Sequence, residues 1–217
     1  MPPIINVSNE VFESLKKRRV SYEIVAAAPS IPKNFIYIPS KKIHVAKERS
    51  LQGRNWFDSH ENGMHLQGRN WFDSHENGMQ TLPEFVEFLK FAREHNQDIY
   101  KEITQTRDPW RAEWIGAYFE ERKDGLYVLI ENKTRMEKLD EDTLMKDKKI
   151  SLDSWLDNPT KQGLPKKEVK NGNLHFFYPR DSSVAAFFAG GVRSGLDCYW
   201  DPACGYSDLG VRAVRHE

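Results

Sequence analysis

The stretch SVAAFFAGGVRSGLDCYWDPACGYSDLGVRAVR, residues 183–215, governs how the rest of the chain is read. Its two apolar runs, VAAFF and LGVRAV, read as central strands that bracket a long irregular stretch. Between them, Leu196 and Cys198 alternate with Asp197 and Tyr199, the period of a strand with one buried and one exposed face. From Asp181 to Arg215 there is no Lys, Glu, Gln, Met or Asn, although the chain is otherwise crowded with Lys and Glu. Tyr and Trp give large, rigid contact area at small entropic cost, and Ser, Gly and Asp give adaptable polar contacts. Lys and Glu are residues that interfaces shed. On composition alone two arrangements fit: a surface built to contact a partner, or a Gly-rich turn region whose aromatics pack inward.

The 217 residues are enough for one large domain or two small ones, and a single domain is the expectation. Thirty-two Lys and Arg balance 32 Asp and Glu. No global basic field therefore draws the chain to nucleic acid or anionic lipid. No apolar run approaches the roughly 18 residues that span a bilayer, and the start, MPPIINVSNEVFESLKKRR, lacks the apolar centre of a secretory signal. A soluble chain, cytoplasmic as synthesised and without membrane insertion, is expected. Two cysteines, Cys198 and Cys204, are too few for a disulfide framework or for a closed zinc site without histidine.

Along the chain, Val7, Val11, Phe12 and Leu15 predict a short amphipathic helix closed by the cations at 16–19. SYEIVAAAP and NFIYIPSKKIHVA read as edge or irregular strands, interrupted by Pro29, Pro32 and Pro39. LQGRNWFDSHENGM then occurs twice, at 51–64 and 66–79, with His65 between the copies. Each copy reads as a short helix, opened by Asn55 or Asn70 and stopped by Gly63 or Gly78. Solenoid units number three or more and drift apart, so identical copies indicate a fresh duplication, natural or introduced, and one copy is expected to suffice for the fold. The doubled Asp58, His60, Glu61, Asp73, His75 and Glu76 match no ligand spacing and read as polar residues on a short surface helix.

TLPEFVEFLKFAREHN is the strongest helix, with a Thr81/Glu84 capping box, Pro83 in the first turn, and Leu82, Phe85, Val86 and Leu89 on one face. WIGAYFEE and LYVLIE form a hairpin around a KDG turn, with Trp110 and Trp114 expected to anchor the core. TRMEKLDEDTLMKDKK reads as a solvated, charge-laced segment, and SLDSWL as a short capped helix before Pro159.

Catalytic signatures are missing from the sequence: it holds no G-x-S-x-G elbow, no G-x-G-x-x-G, no P-loop and no H-E-x-x-H. Cys198 has no patterned His or Asn to activate it. No catalytic residue, metal site or cofactor is assigned.

The 183–215 string, with SLDSWL and GNLHFFYPR upstream and NWFDSHE and TLPEFVEFLKF before those, resembles the variable proteins of diversity-generating retroelements. The likeness is nearest to those of archaea, their viruses and small-genome bacteria. It covers most of the chain from about Asn34, and its ending, L-x-C-x3-P-x6-LGVR, is fairly specific. It implies an α+β chain with the C-type-lectin fold, a small twisted antiparallel sheet with flanking helices and long loops. It implies a non-enzymatic role, binding protein ligands that differ between variants, and it leaves open whether the chain sits on a virion and how many copies assemble. In that family a reverse transcriptase miscopies template adenines. Template codons AAC and AAT can become Tyr, Asp, Ser, Cys, Gly or Arg, but not Lys, Glu, Gln or Met.

Position by position, the resemblance makes Val184, Ala185, Phe187, Phe188, Leu196, Cys198, Pro202, Leu209, Gly210, Val211 and Arg212 the fixed frame. The diversified, solvent-facing residues would be Gly191, Arg193, Gly195, Asp197, Tyr199, Trp200, Asp201, Cys204, Gly205, Tyr206 and Asp208. Trp200 departs from the pattern, because neither AAC nor AAT reaches its codon, and the duplicated block is foreign to it. Exposed contact residues are not core, so Trp200→Ala and Tyr206→Ala are expected to leave the melting temperature nearly unchanged. The competing reading is a formylglycine-generating type of oxidase on the same scaffold, using Cys198 with Cys204. A calcium lectin lacks its Glu-Pro-Asn type of ligand motif.

Overall fold

The structure, a computed structural model, describes residues 34–50, 52–56, 77–130 and 135–216. The chain divides after Lys33 into two units, and the first, Met1–Lys33, lies outside the described residues, together with the helix and strand expected there.

Helix α1 (Leu82–His95) forms where the apolar spacing places it, burying Leu82, Phe85, Val86, Phe88, Leu89 and Ala92 on one side. The Glu84 carboxylate accepts the Thr81 backbone N–H at 2.8 Å, satisfying a donor that the first turn leaves over. Helical structure continues past the end of α1. Asn96 leaves helical backbone angles and ends α1, and its side chain accepts from the Ile99 N–H at 3.2 Å. A second helix, α2 (Gln97–Thr104), starts there. Helix α3 (Leu152–Asp157) opens as expected, with Ser151 accepting from the Ser154 N–H.

The strands are β1 (Phe35–Ile38), β2 (Ile43–Ala46), β3 (Asn77–Met79), β4 (Arg111–Arg122), β5 (Gly125–Ile130), β6 (Arg135–Lys138), β7 (Lys148–Ile150), β8 (Leu174–Phe177), β9 (Ser183–Ala189), β10 (Ser194–Trp200), β11 (Leu209–Val211) and β12 (Ala213–His216). The architecture is α+β and mostly sheet. In place of one small antiparallel sheet there are two: four strands in the order β1-β2-β12-β3, and a larger sheet in the order β6-β5-β4-β9-β10-β8-β7 with β11 beside β4. Two pairs, β10 with β8 and β11 with β4, are parallel. The run LGVRAV is not one strand, because β11 belongs to the larger sheet and β12 to the smaller, with Arg212 at the corner between them.

The charge-laced 134–149 segment also differs from expectation. Its ends are strands β6 and β7, and Thr143 and Leu144 between them are buried. Both strands lie at the margins of the larger sheet, where only one side pairs and charged side chains discourage a further strand from joining.

Strand β9 is buried along its whole length. Ala185 and Phe187 join the main core with Phe85, Trp155, Leu196 and Cys198. Val184, Ala186 and Phe188 join a second core with Trp56, Trp114, Leu209 and Val211. The duplicated block enters that second core from its two ends. Trp56, from the first copy, donates its indole N–H to the Ile115 carbonyl, and Met79, from the second copy, is buried. Gly78, expected to stop a helix, instead pairs with Val214 in the smaller sheet. Residues 57–76, with both expected helix bodies and the doubled histidines, lie outside the described residues.

Beneath the corner at Arg212 lies a buried ionic group. Arg212 and Arg111 both reach the Glu113 carboxylate at 3.0 Å, and both also pair with Glu102 on α2. The remaining Arg212 donor is taken by the Ala46 and Lys47 carbonyls. Burial pushes the Glu113 carboxyl up, but the Arg212 and Arg111 guanidinium charges outweigh it and hold the group below the usual carboxylate range.

Candidate functional site

The hairpin β9–β10 carries the region singled out in the sequence. Opposite β9, Asp197 pairs with Ala186 and Trp200 with Val184, so β10 spends three steps where β9 spends two. One extra residue is a β-bulge, a device common beside functional sites because it re-aims side chains. In an unbroken strand Trp200 would share a face with Cys198. The bulge instead brings Trp200 round to line one cleft with Asp197 and Tyr199. The Asp197 carboxylate accepts the Tyr199 N–H at 2.9 Å, capping a backbone donor within the bulge.

The cleft measures about 400 Å³. Its walls come from four places: Trp110 before β4, Asp147 before β7, Phe177 and Arg180 around the end of β8, and Phe188, Arg193, Asp197, Tyr199 and Trp200 from the hairpin. Arg180 lies over the Tyr199 ring at 3.9 Å and the Tyr178 ring at 5.0 Å. Arg193 lies 5.8 Å from the centres of both Phe177 and Phe188. Burial raises the Asp197 carboxyl above its ordinary value, opposed by the Tyr199 N–H and reinforced by the charge of Asp147.

Tyr199 and Tyr206 are 51% and 49% exposed, so neither is a core residue. Trp200 stands differently. It stacks on Trp110 at 6.5 Å and meets Trp114 edge-on at 5.7 Å, and it packs against the second core. Trp200 is thus not a purely solvent-facing residue as expected, and these contacts predict a stability cost for Trp200→Ala. Tyr206 touches this group edge-on, 6.0 Å from Trp110 and 6.4 Å from Trp200. Trp110, expected to anchor the core, is only half-buried and serves as a cleft wall, whereas Trp114 is buried and donates its indole N–H to the Arg54 carbonyl.

Of the other expected surface positions, Gly191, Arg193, Asp201 and Gly205 are exposed, and Cys204 and Asp208 are half-buried. Gly195 is a correction, since it is buried. A Cβ there would lie 2.5 Å from the His175 carbonyl oxygen and 2.7 Å from the Phe188 ring, because β10 is pinned between β8 and β9 at that point. Gly191, at the hairpin tip, has open space around it and can take any side chain. Of the expected frame residues, all are buried except Pro202, which is half-buried and accepts the Trp56 N–H at 3.0 Å. The 201–208 loop is held by short local bonds, Asp201 to Ala203 N–H and Tyr206 O to Leu209 N–H, and from below by Arg49, which donates to the Asp208 carbonyl.

Sequence reasoning missed Val192, which is 93% exposed at the hairpin tip, and the cleft walls Asp147, Phe177 and Arg180. Only Phe177 and Arg180 carried a signal, the aromatic-then-cationic string HFFYPR. Both cysteines are free thiols. Cys198 is fully buried, and burial followed by the charge of Asp197 pushes its thiol well above the ordinary range. Among the described residues no three His, Cys, Asp or Glu stand close enough to hold a metal ion, and no helix is long and apolar enough to cross a membrane. Comparisons of this chain with protein families, with curated proteins and with solved structures return no match.

Proposed function

We propose that the chain is a ligand-binding protein that presents the Tyr199, Trp200 and Tyr206 face to a macromolecular partner. On this reading it is the variable protein of a diversity-generating retroelement, with the C-type-lectin scaffold, and its partners are proteins that differ from variant to variant. The observation that carries the reading is the bulge in β10. It gathers Asp197, Tyr199 and Trp200 at one open cleft while Leu196 and Cys198, one residue away, stay locked in the main core. A surface meant to change must be decoupled from the frame that holds it, and that separation is the required property. Rigid aromatics then supply most of the affinity, each about 1–4 kcal/mol on truncation if it is an anchor.

The test is to randomise Arg193, Tyr199, Asp201, Tyr206 and Asp208 together and measure how many members of the library still melt cooperatively. Most should, and selection of that library on unrelated proteins should yield different binders for each. A library that is largely unfolded would end the proposal. In the source DNA, a reverse-transcriptase gene beside a near-copy of the 3′ coding segment, differing only at adenines, is the matching genetic expectation. The oxidase reading needs a thiolate at Cys198, and the buried, upshifted thiol weighs against it.

A further inference from the structure

The cleft holds two guanidinium groups that make no hydrogen bond among the described residues. Among the described residues the Arg193 guanidinium makes no hydrogen bond or ion pair; it lies by the rings of Phe177 and Phe188, and its charge acts on Asp197 and His175. Arg180 stands 3.7 Å from Asp147, and its Nε is buried without a hydrogen-bond partner. An arginine resting on aromatic rings is held in place with its N–H fork presented to the cleft, Arg180 partly withdrawn from solvent and Arg193 exposed. Buried donors left unmatched are costly, so the Arg180 Nε–H points to an acceptor supplied from outside, and the exposed Arg193 fork stands across the same cleft to share it.

The acceptor's class follows from the charges beside it. Asp147 and Asp197 line the same cleft, so two cations face two anions. A phosphate dianion or a nucleic-acid backbone would meet repulsion from both carboxylates. A single carboxylate flanked by N–H donors matches both signs, and an apolar side chain beside it matches Trp110 and Phe177. We propose that the cleft takes the carboxylate of an acidic protein segment, with the apolar side chain next to it, through the guanidinium groups of Arg180 and Arg193. The assignment deepens the binding-face reading and rests on it. Because Arg180, Asp147, Trp110 and Phe177 lie outside residues 184–215, variants that differ in the C-terminal stretch would share this half of the recognition.

The test uses the full chain and two probes. Sodium phenylacetate, phenylacetamide and sodium sulfate are titrated while the arginine Nε–H resonances are followed by NMR, and random heptapeptides are selected on the immobilised protein. Phenylacetate is expected to saturate in roughly the millimolar range and to move the Arg180 and Arg193 signals, with phenylacetamide and sulfate at least about tenfold weaker. Arg193→Lys, which keeps the charge and loses the fork, should weaken phenylacetate by about tenfold. Selected peptides should carry Asp or Glu beside an aromatic or aliphatic residue, and should lose binding when that acid becomes its amide. Equal binding of phenylacetate and its amide, tighter binding of sulfate, or peptides without acid enrichment would overturn the assignment. Peptides that depend on Tyr206 but not on Arg193 would sink the carboxylate and leave the binding face standing. Peptides that depend on neither residue would sink both.

Discussion

Two pairs of arginines divide the described part of the molecule. Arg111 and Arg212 are buried beneath the corner between the sheets, and their guanidinium groups are spent on Glu113, Glu102 and backbone carbonyls. Arg180 and Arg193 lie on aromatic faces at a cleft, with no hydrogen bonds from their guanidinium groups among the described residues. The same side chain does opposite work. Saturated, it ties α2, β4, the segment after β2 and the C-terminal strands into one frame; unsaturated, it leaves recognition energy available. What separates the pairs is burial together with an acceptor of the right geometry, not the amino acid.

The largest expected effect tests the saturated pair. Arg212→Ala leaves Glu113 buried and short of its partner, and should cost about 3–5 kcal/mol in chemical denaturation. Arg193→Ala should cost less than about 0.5 kcal/mol. If the two losses come out similar, the division is wrong. Acid sharpens the same contrast. Burial pushes the Glu84 and Glu113 carboxyls up, but the His216 hydrogen bond at Glu84 and the arginines at Glu113 hold both below their ordinary value. The stability they contribute is then fully present above about pH 4.5 and is lost as pH falls through the lower folded values. Urea midpoints followed from pH 7 to pH 3 should fall steeply for the parent chain and less steeply for Glu113→Gln.

Within the cleft the contrast recurs at smaller scale. Trp200→Ala should cost about 2 kcal/mol, lowering the melting temperature by roughly 4–8 °C, because the indole packs on Trp110 and Trp114. Tyr199→Ala and Tyr206→Ala should each shift it by less than about 2 °C. Equal shifts would mean that the exposed rings are structural too. The smallest effect is expected from removing one 15-residue repeat unit. Trp56 of the first copy and Met79 of the second are buried residues that a single copy would also supply, and the length of chain between two anchored ends enters stability only logarithmically, so the change should stay below about 1 kcal/mol. A large loss of cooperativity would show that both copies are needed.

Helix α1, the hairpin β4–β5 and the buried run β9 were legible because each is set by local periodicity and capping, which a single sequence displays. The two-sheet arrangement was not. LGVRAV reads as one apolar run, and only the distant partners of Arg212 make it turn between sheets. Charge misled at β6 and β7, since a sheet margin tolerates Lys and Arg that a central strand rejects. The aromatic patch was visible as composition, and Tyr199 and Tyr206 were placed correctly on the surface. Trp200 and Gly195 were misplaced for one reason: strict alternation from Leu196 to Cys198 says nothing of a bulge at 199 or of a neighbouring strand pressed against 195. Arg180 and Asp147 come from loops, whose convergence on the hairpin is a property of topology.

The extra residue in β10 also changes how the message maps onto the surface. In a regular strand only every second codon feeds a given face, so a substitution in one codon is separated from the next useful one by a silent, buried position. Past the bulge, the adjacent codons for Tyr199 and Trp200 both write onto the same wall. A short run of nucleotide changes there rebuilds contiguous contact area, with the Tyr199 codon free of the hydrophobic interior and the Trp200 codon answering to the second core as well.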